Sequence, residues 1–277
     1  MPDFVLLILI GFCIGTLGTL IGAGGGIILM PFLILNYPDL PPQIITAISV
    51  AVIAINSISG SFAYSSSGLI DYKAGGLFAV FAIPGSILGV LSVPYIPQQL
   101  FNYFFGIILL CIGMYLWYKN SKTTAELRIK TPTSMDKETI LIDKKGNLYQ
   151  YYYNPKIGIV ISVFVGYVSP ILGIGGGIIH VPAMQNILRF PLKVATATSH
   201  FILAIMATTS VFVNFFQDNY QNDMYLKLIA LIAIGVIPGA QLGAFISQKI
   251  RAKTISKILI LSLILVGIRI LFKNYSF

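Results

Sequence analysis

The chain contains the stretch GTLIGAGGGIILMPFLI at residues 18–34, and a second version of it, SPILGIGGGIIHVPAMQ, follows at residues 169–185. Each version places a glycine cluster inside a long apolar run, with a proline five residues beyond the cluster. Glycine adopts dihedral angles that other residues avoid, and proline removes a backbone donor, so each run should form two helical pieces joined by a turn. Interrupted hydrophobic helices in corresponding parts of two halves are typical of the binding site of a secondary transporter.

The composition is that of a membrane protein. Hydrophobic residues make up 56% of the chain and charged residues 10%, and the mean hydropathy is +0.87, whereas about 25% of the residues in soluble domains are charged. Most of the apolar segments have the roughly 20 residues that a helix needs to cross the hydrocarbon core. They cover residues 4–35, 44–64, 74–93, 101–118, 157–188, 194–216, 226–246 and 255–272. We therefore predict an all-α polytopic protein with the lipid bilayer as partner and no nucleic-acid partner.

The internal repeat extends well beyond the glycine clusters. Residues 46–49 match residues 196–199, and the PGxxLG stretches at residues 84–89 and 238–243 match each other. These prolines should kink their helices, either for packing or as hinges. We predict a transmembrane repeat at residues 1–119, a polar linker at 120–155 and a second transmembrane repeat at 156–277, with about four segments in each repeat. The linker is expected to be a solvated loop with a short hairpin around residues 144–147.

The positions of the 18 basic residues favour one of two topologies. If every segment crossed the membrane once, the two sides would carry 12 and 6 of them. If the glycines turn the first and fifth segments back, as re-entrant hairpins or as double crossings, the sides carry 15 and 3. The positive-inside rule favours this second arrangement. It predicts two inverted repeats in the plasma membrane, with the amino terminus outside and the loop at residues 120–155 in the cytoplasm.

The glycine clusters are the first candidates for a substrate site. Each precedes a short helix whose first N–H groups lack partners within the helix and whose dipole is positive at that end. Two such ends facing each other would bind an anion without a buried Arg or Lys. The alternative is that the glycines only permit close helix packing. Because both clusters share the proline spacing, we favour a substrate site made by Gly22, Gly24, Gly25, Gly26, Gly173, Gly175, Gly176 and Gly177.

Polar residues in the second, fifth and sixth segments are further candidates. Hydroxyl and amide groups that could contact a substrate belong to Ser49, Ser199, Thr46, Asn56 and Thr198. Each hydroxyl more often bonds its own helix, but the two serines stand at equivalent positions of the repeats. His180 and His200 have Leu29 and Val50 as counterparts in the first half. Histidine titrates near neutral pH, so both are candidates for proton coupling, and the alternative is a neutral imidazole that bonds a neighbouring helix.

Enzymatic functions find no support in the sequence. It contains no HExxH motif, no paired intramembrane aspartates and no dinucleotide-binding strand–helix unit, so we predict no catalytic residue, no metal and no cofactor. Cys13 and Cys111 lie in apolar runs without the spacing of a metal site or a disulfide framework, and we expect both to be small core residues.

The motifs together resemble the TauE/SafE family of sulfite exporters. The likeness rests on the two GxGGG-type clusters at residues 22–26 and 173–177 with their prolines, on the Ala-x-Ser stretches ending at Ser49 and Ser199, and on the PGxxLG stretches. It covers essentially both halves. The resemblance implies a prokaryotic plasma-membrane permease that moves sulfite, sulfoacetate or related small sulfur-containing anions, usually outward. The long charged linker and the asymmetric histidines depart from a plain member.

Three functions are compatible with these observations. The favoured one is a secondary carrier of small anions, by alternating access at a midplane site between the two broken helices, coupled to a proton or a sodium ion. The alternatives are an anion channel and a non-transporting membrane scaffold. Neither the substrate nor the direction of transport follows from the residues.

Overall fold

The computed structural model describes residues 4–121 and 136–249, together with positions 260, 261, 264, 267 and 268. Its helices are α1 (Phe4–Ile21), α2 (Gly26–Asn36), α3 (Pro42–Ser65), α4 (Tyr72–Ser92), α5 (Gln98–Ser121), α6 (Pro155–Leu172), α7 (Gly177–Asn186), α8 (Leu192–Phe216) and α9 (Asp223–Ser247), with a 3-10 turn at Val93–Tyr95. Two strands, β1 (Lys137–Ile142) and β2 (Leu148–Tyr153), form an antiparallel hairpin between α5 and α6.

Six of these helices are long and apolar enough to cross a membrane, namely α1, α3, α4, α6, α8 and α9. Large apolar side chains cover their outer surfaces, for example Phe62 at 70% exposure and Val160 at 69%. In water, a surface this apolar would associate with other surfaces, whereas lipid solvates it. The predicted all-α polytopic architecture is thus confirmed.

Both cysteines lie on the outer surfaces of helices. Cys13 and Cys111 are exposed on α1 and α5, so the expectation that they are core residues is wrong. The reason is that the lipid-facing surface of a membrane protein is as apolar as its core. An apolar run therefore identifies a membrane span without showing which of its residues face inward.

The glycine clusters divide the first and fifth apolar segments as predicted. Residues 22–25 separate α1 from α2, and residues 173–176 separate α6 from α7. Pro31 and Pro182 lie inside the short helices that follow, so the glycines make the break. At about 1.5 Å per residue, the 18 residues of α1 extend about 27 Å and the 11 residues of α2 about 16 Å. The second piece therefore spans about half the hydrocarbon core.

Glycines bring α9 and α1 into close contact. A methyl group added to Gly235 would overlap the carbonyl oxygen of Ile8, and one added to Gly239 would overlap that of Phe12. Residue numbers rise together along this contact, so the two helices run parallel. Backbones approach this closely where one helix presents no side chain, as small residues allow in membranes.

The same arrangement recurs between α4 and α6. Gly85 lies against the carbonyl of Val163, and Gly89 lies against that of Tyr167. The PGxxLG stretch of each half therefore packs on the broken first segment of the other half. Of the two roles predicted for these stretches, packing is the one that the contacts show.

Helices α3 and α8, which hold corresponding positions in the two halves, run antiparallel. Tyr220, just beyond the end of α8, donates to the carbonyl of Ala47 near the start of α3 at 2.9 Å. The amide of Asp71, just beyond the end of α3, donates to Oγ1 of Thr198 near the start of α8 at 3.0 Å. Inverted repeats require this relation between corresponding helices. The inversion of the complete halves stays a prediction.

The linker forms the expected hairpin, and one of its strands packs onto the helices. Asp143 accepts hydrogen bonds from the backbone amide and the side chain of Asn147, both at 2.8 Å, which closes the turn. Tyr151 and Tyr153 of β2 are buried, with ring centroids 4.5 and 5.1 Å from that of Phe190. Strand β2 is thus part of the helical packing. The expectation that the linker is a solvated loop is wrong for this strand.

Basic residues from separate loops lie beside one another on the surface that carries the hairpin. Lys193 donates to the backbone carbonyl of Gln248 at 3.2 Å, and Lys145 of the hairpin turn reaches the side chain of the same residue at 3.5 Å. Arg189 pairs with Asp136 at 3.9 Å, directly before β1. We call this surface the basic face, and its residues are Lys145, Arg189, Lys193 and Lys249.

This grouping bears on the two topologies. Single crossings would place Arg189 and Lys193 on the side opposite the linker, whereas the structure places them beside it. It therefore agrees with first and fifth segments that turn back at the glycines. The assignment of the basic face to the cytoplasm stays a prediction.

Candidate functional site

The two glycine breaks meet inside the protein. We call residues 22–25 tip 1 and residues 173–176 tip 2. A methyl group added to Gly26 would lie 2.6 Å from the carbonyl oxygen of Gly173, and one added to Gly177 would overlap the carbonyl oxygen of Gly22. The start of each short helix is therefore held against the opposite tip, backbone against backbone.

Most tip glycines adopt a backbone conformation that disfavours side chains. Their φ values are 82° at Gly22, 74° at Gly24, 83° at Gly25, 59° at Gly173 and 74° at Gly175. Gly176 differs, since its φ of −60° suits any residue. The glycines thus serve two purposes, a left-handed turn and a contact too close for a Cβ atom.

The helices that follow the tips begin with N–H groups that have no partner within the helix. The first helical bonds after the breaks run from Ile28 to the carbonyl of Gly25 and from Ile179 to that of Gly176. The N–H groups before these residues have no partner within the helix, and the helix dipole makes that end positive. Within the described part of the chain, no Lys or Arg is buried. Backbone groups are therefore the source of positive potential at the tips.

Serines at equivalent positions hold the tips from the opposite half. The Ser49 hydroxyl donates to the carbonyl of Gly173 at 2.5 Å, and the Ser199 hydroxyl donates to the carbonyl of Gly22 at 3.4 Å. Both serines are fully buried. Matching the two repeats of the sequence paired these residues, and the structure places each of them at a tip.

Apolar side chains close the space around the tips. Ile53 and Leu203, again at equivalent positions of α3 and α8, approach both Gly24 and Gly175. They keep water from the contact between the breaks. A hydrogen bond to an anion is stronger in such surroundings than in water.

The other hydroxyl candidates have different surroundings. Thr46 bonds the carbonyl of Gln43 in its own helix at 3.1 Å. Thr198 accepts the amide of Asp71, and Asp71 in turn accepts a 2.7 Å bond from Tyr151 of the hairpin. The structure thus directs Thr198 toward the hairpin and not toward the tips.

A buried polar cluster lies next to tip 1. Thr19 donates to Oδ1 of Asn56 at 3.0 Å, and its hydroxyl lies 3.2 Å from Nε2 of His200. Tyr64 donates to the carbonyl of Thr19 at 2.8 Å and packs edge-on against the His200 ring.

Sequence reasoning singled out Asn56 and His200 but missed Thr19 and Tyr64. No signal in the sequence pointed to Thr19, because a single threonine before a glycine cluster is ordinary in a membrane helix. A tyrosine at the end of an apolar segment is typical of the membrane interface, so Tyr64 gave no signal either.

The second histidine is separate from this cluster. His180 of α7 is buried, and its Nε2 lies 3.2 Å from the hydroxyl of Ser162 on α6. The Ser162 hydrogen is directed to the carbonyl of Gly158 at 2.8 Å. His180 therefore donates to Ser162, which links the two pieces of the fifth segment.

Comparison with known proteins gives a consistent result. The model of a protein family described as "Sulfite exporter TauE/SafE" matches residues 7–270 of the chain. A "Probable membrane transporter protein YunE" of Bacillus subtilis is 33% identical over 282 residues, covering 98% of each chain. A probable membrane transporter protein of Methanocaldococcus jannaschii is 28% identical over 261 residues, covering 90% of this chain and 88% of its own length. No solved structure matches.

Proposed function

We propose that this chain is a secondary carrier of sulfite or related small sulfur-containing anions. The chain belongs to the sulfite exporter TauE/SafE family and is a membrane transporter. In this proposal it resides in the plasma membrane, with the basic face in the cytoplasm. The substrate passes between the two tips. The transporter assignment and the choice of a sulfur-containing anion rest on the family, and the preference for an anion rests on the chemistry of the tips.

The observation that carries the proposal is the meeting of two helix starts. α2 and α7 begin at the tips, each against the other break, and no Lys or Arg is buried in the described residues. Unpaired N–H groups and positive dipole ends stabilise an anion without the cost of a permanent charge at the midplane. A sulfur oxyanion offers several oxygens that accept such N–H groups.

The packing also suggests how access would alternate. Each tip is held by a serine of the opposite half, so a movement of one half against the other changes both Ser–Gly contacts. While the tips touch, they block a continuous path, and an anion reaches them from one side at a time. This is the behaviour of a carrier rather than of an open pore.

Flux in proteoliposomes tests the proposal. We expect saturable transport of labelled sulfite by the purified protein. Saturable transport restricted to another sulfur oxyanion would keep the carrier and replace sulfite. A non-saturating conductance would favour the channel, and no flux of any sulfur oxyanion would overturn the proposed substrate class.

Gly176→Ala tests the role of the tips. The φ of −60° at this position accepts alanine, but the new methyl would lie 2.5 Å from the Val165 side chain and 3.1 Å from that of Met206, so tip 2 or these side chains have to shift. We expect at least about a tenfold loss of transport with normal insertion. The matched control is Gly76→Ala in α4, where a methyl meets no atom within 4 Å. Equal transport by both variants would contradict a substrate site at the tips.

A further inference from the structure

We infer that the anion has a second, asymmetric binding site beside tip 1, made by Asn56, Ser57 and His200, and that this site takes an oxyanion that still carries one O–H group. Hydrogen sulfite has this chemistry. The inference rests on the proposed function and adds to it where, and in which protonation form, the substrate is held.

Three buried polar atoms with no partner define this site. Among the described residues, four buried side-chain atoms have no hydrogen-bond partner. Nδ2 of Asn56, Oγ of Ser57 and Nδ1 of His200 belong to side chains that are 0% exposed, and the fourth is Oγ of the less buried Ser61. An unsatisfied buried polar atom costs about 1–3 kcal/mol. Three of them in neighbouring side chains require a bound water molecule or a ligand to complete the bonds.

Two of the three side chains share a hydrogen-bond partner, and the third is adjacent to Asn56 in the chain. Asn56 and His200 both bond the Thr19 hydroxyl, at 3.0 and 3.2 Å. Ser57 follows Asn56 on α3, and its hydroxyl lies 3.4 Å from the Cβ position of Gly24 in tip 1. Gly60, one turn further along, provides the space into which the His200 ring fits.

Hydrogen-bond bookkeeping determines which ligand fits. Thr19 has a single hydroxyl hydrogen. When it is given to Oδ1 of Asn56, His200 must donate from Nε2, and the site then offers donors on Asn56 and Ser57 and a bare acceptor at Nδ1. When the Asn56 amide is turned over, Thr19 donates to Nε2, and the site offers donors at Nδ1 and Ser57 and a bare acceptor at Oδ1.

Both assignments therefore lead to the same ligand. The site suits a molecule with one O–H group to donate and with oxygen lone pairs that accept from two donors. Hydrogen sulfite meets this requirement, whereas sulfate at neutral pH has no O–H group and chloride has neither oxygen nor hydrogen. The titratable side chain that faces His200 is Tyr64 on α3. Asp71 is directed elsewhere, because its amide bonds Thr198 and its carboxylate accepts from Tyr151.

The other half of the protein has no such site. The residues equivalent to Asn56, Ser57 and His200 are Met206, Ala207 and Val50, so the site occurs once and off the axis that relates the tips. It lies toward the basic face, because Tyr64 bonds both Thr19 and Ser247. Ser247 is the last residue of α9, and Lys249 of the basic face follows two residues later. Clustered basic side chains raise the local concentration of anions at that surface.

Ligand-dependent thermal unfolding of the full-length protein in detergent tests the site. In slightly acidic buffer, we expect sulfite to raise the unfolding temperature, and sulfate and chloride to have no comparable effect. Ser57→Ala should weaken the apparent affinity about tenfold, as expected for the loss of one hydrogen bond to an anion. Without ligand, the same variant should be as stable as the natural protein or more so, because it removes an unsatisfied group.

The matched control is Ser210→Ala. Ser210 is also fully buried, but its hydroxyl bonds the carbonyl of Met206 in its own helix at 3.2 Å. We expect this variant to bind sulfite normally. His200→Val should bind about tenfold more weakly or worse, and His200→Gln, which keeps a donor and an acceptor, should lose less.

The outcomes separate the site from the proposed function. Normal sulfite binding by Ser57→Ala and His200→Val, or no binding by the natural protein, would overturn the site. Equal stabilisation by sulfate would overturn the requirement for an O–H group. Binding that follows the pattern above without any flux in proteoliposomes would leave the site in place and remove the transport proposal.

Discussion

Ser49 and Ser199 stand at equivalent positions, yet they hold the two tips differently. The bond from Ser49 to Gly173 is 2.5 Å long, and the bond from Ser199 to Gly22 is 3.4 Å long. Hydrogen bonds between a hydroxyl and an oxygen are strongest below about 3 Å, so tip 2 is held more firmly than tip 1. Tip 1 is also the one that borders the cluster around His200.

This difference predicts unequal effects of two equivalent substitutions. Ser49→Ala should destabilise the protein by about 1–2 kcal/mol, because it removes a good bond and leaves a buried carbonyl unpaired. Ser199→Ala should cost less than about 0.5 kcal/mol, since its long bond contributes little. Thermal unfolding of both variants in the same detergent measures the difference. Equal destabilisation would show that the two tips are held alike.

The residue scale also shows what sequence can and cannot predict. The helix breaks at the tip glycines were predictable, because several glycines inside an apolar run favour non-helical backbone angles. The partners of Asn56 were not, because Thr19 lies 37 positions away and its type carries no signal. Asymmetry between the repeats marked His200, but only the structure shows that Thr19 bonds both residues.

Among the elements, the hairpin has the contact with the clearest consequence. Tyr151 of β2 donates a 2.7 Å bond to Asp71, which caps the start of α4 by accepting the amides of Lys73 and Ala74. Burial raises the pKa of the Tyr151 hydroxyl, so it remains a donor at physiological pH. The hairpin thus ties the linker to the cap of a membrane-spanning helix.

Tyr151→Phe should therefore destabilise the protein by about 1–3 kcal/mol, the cost of leaving a buried carboxylate oxygen without its donor. The control is the neighbouring Tyr152→Phe. Tyr152 bonds Glu138 at 2.8 Å on an exposed surface, where water replaces the lost partner and the change should stay within about 0.5 kcal/mol. Thermal unfolding compares the two, and similar melting temperatures would mean that the hairpin only rests on the helices.

The sequence predicts the helices but not which helices pack against each other. The length and apolarity of each segment follow from the thickness of the bilayer. Lipid tails and core side chains are equally apolar, however, so the sequence of α9 does not reveal that its glycine face meets α1. The PGxxLG motif carried a partial signal, because a run of small residues marks a close contact without naming the partner.

At the scale of the whole molecule, the basic face unites parts of the chain that a single-crossing topology would separate. Lys145 and Lys193 both bond Gln248 at the end of α9, and Lys249 is the next residue in the chain. Lys227 lies near the start of the same 25-residue helix, about 30 Å away along its axis. One long helix therefore connects two opposite surfaces, the basic face and the surface near Lys227.

Cysteine labelling in whole cells decides which surface is cytoplasmic. After replacement of the exposed Cys13 and Cys111 by alanine, single cysteines at 145, 193 and 227 report each surface. If the positive-inside rule holds, a membrane-impermeant maleimide should label Lys227→Cys in intact cells and reach Lys145→Cys and Lys193→Cys only after lysis. Opposite labelling of 145 and 193 would contradict the turned-back segments. Labelling of both in intact cells would invert the orientation, and the His200 site would then face the outside and load from there.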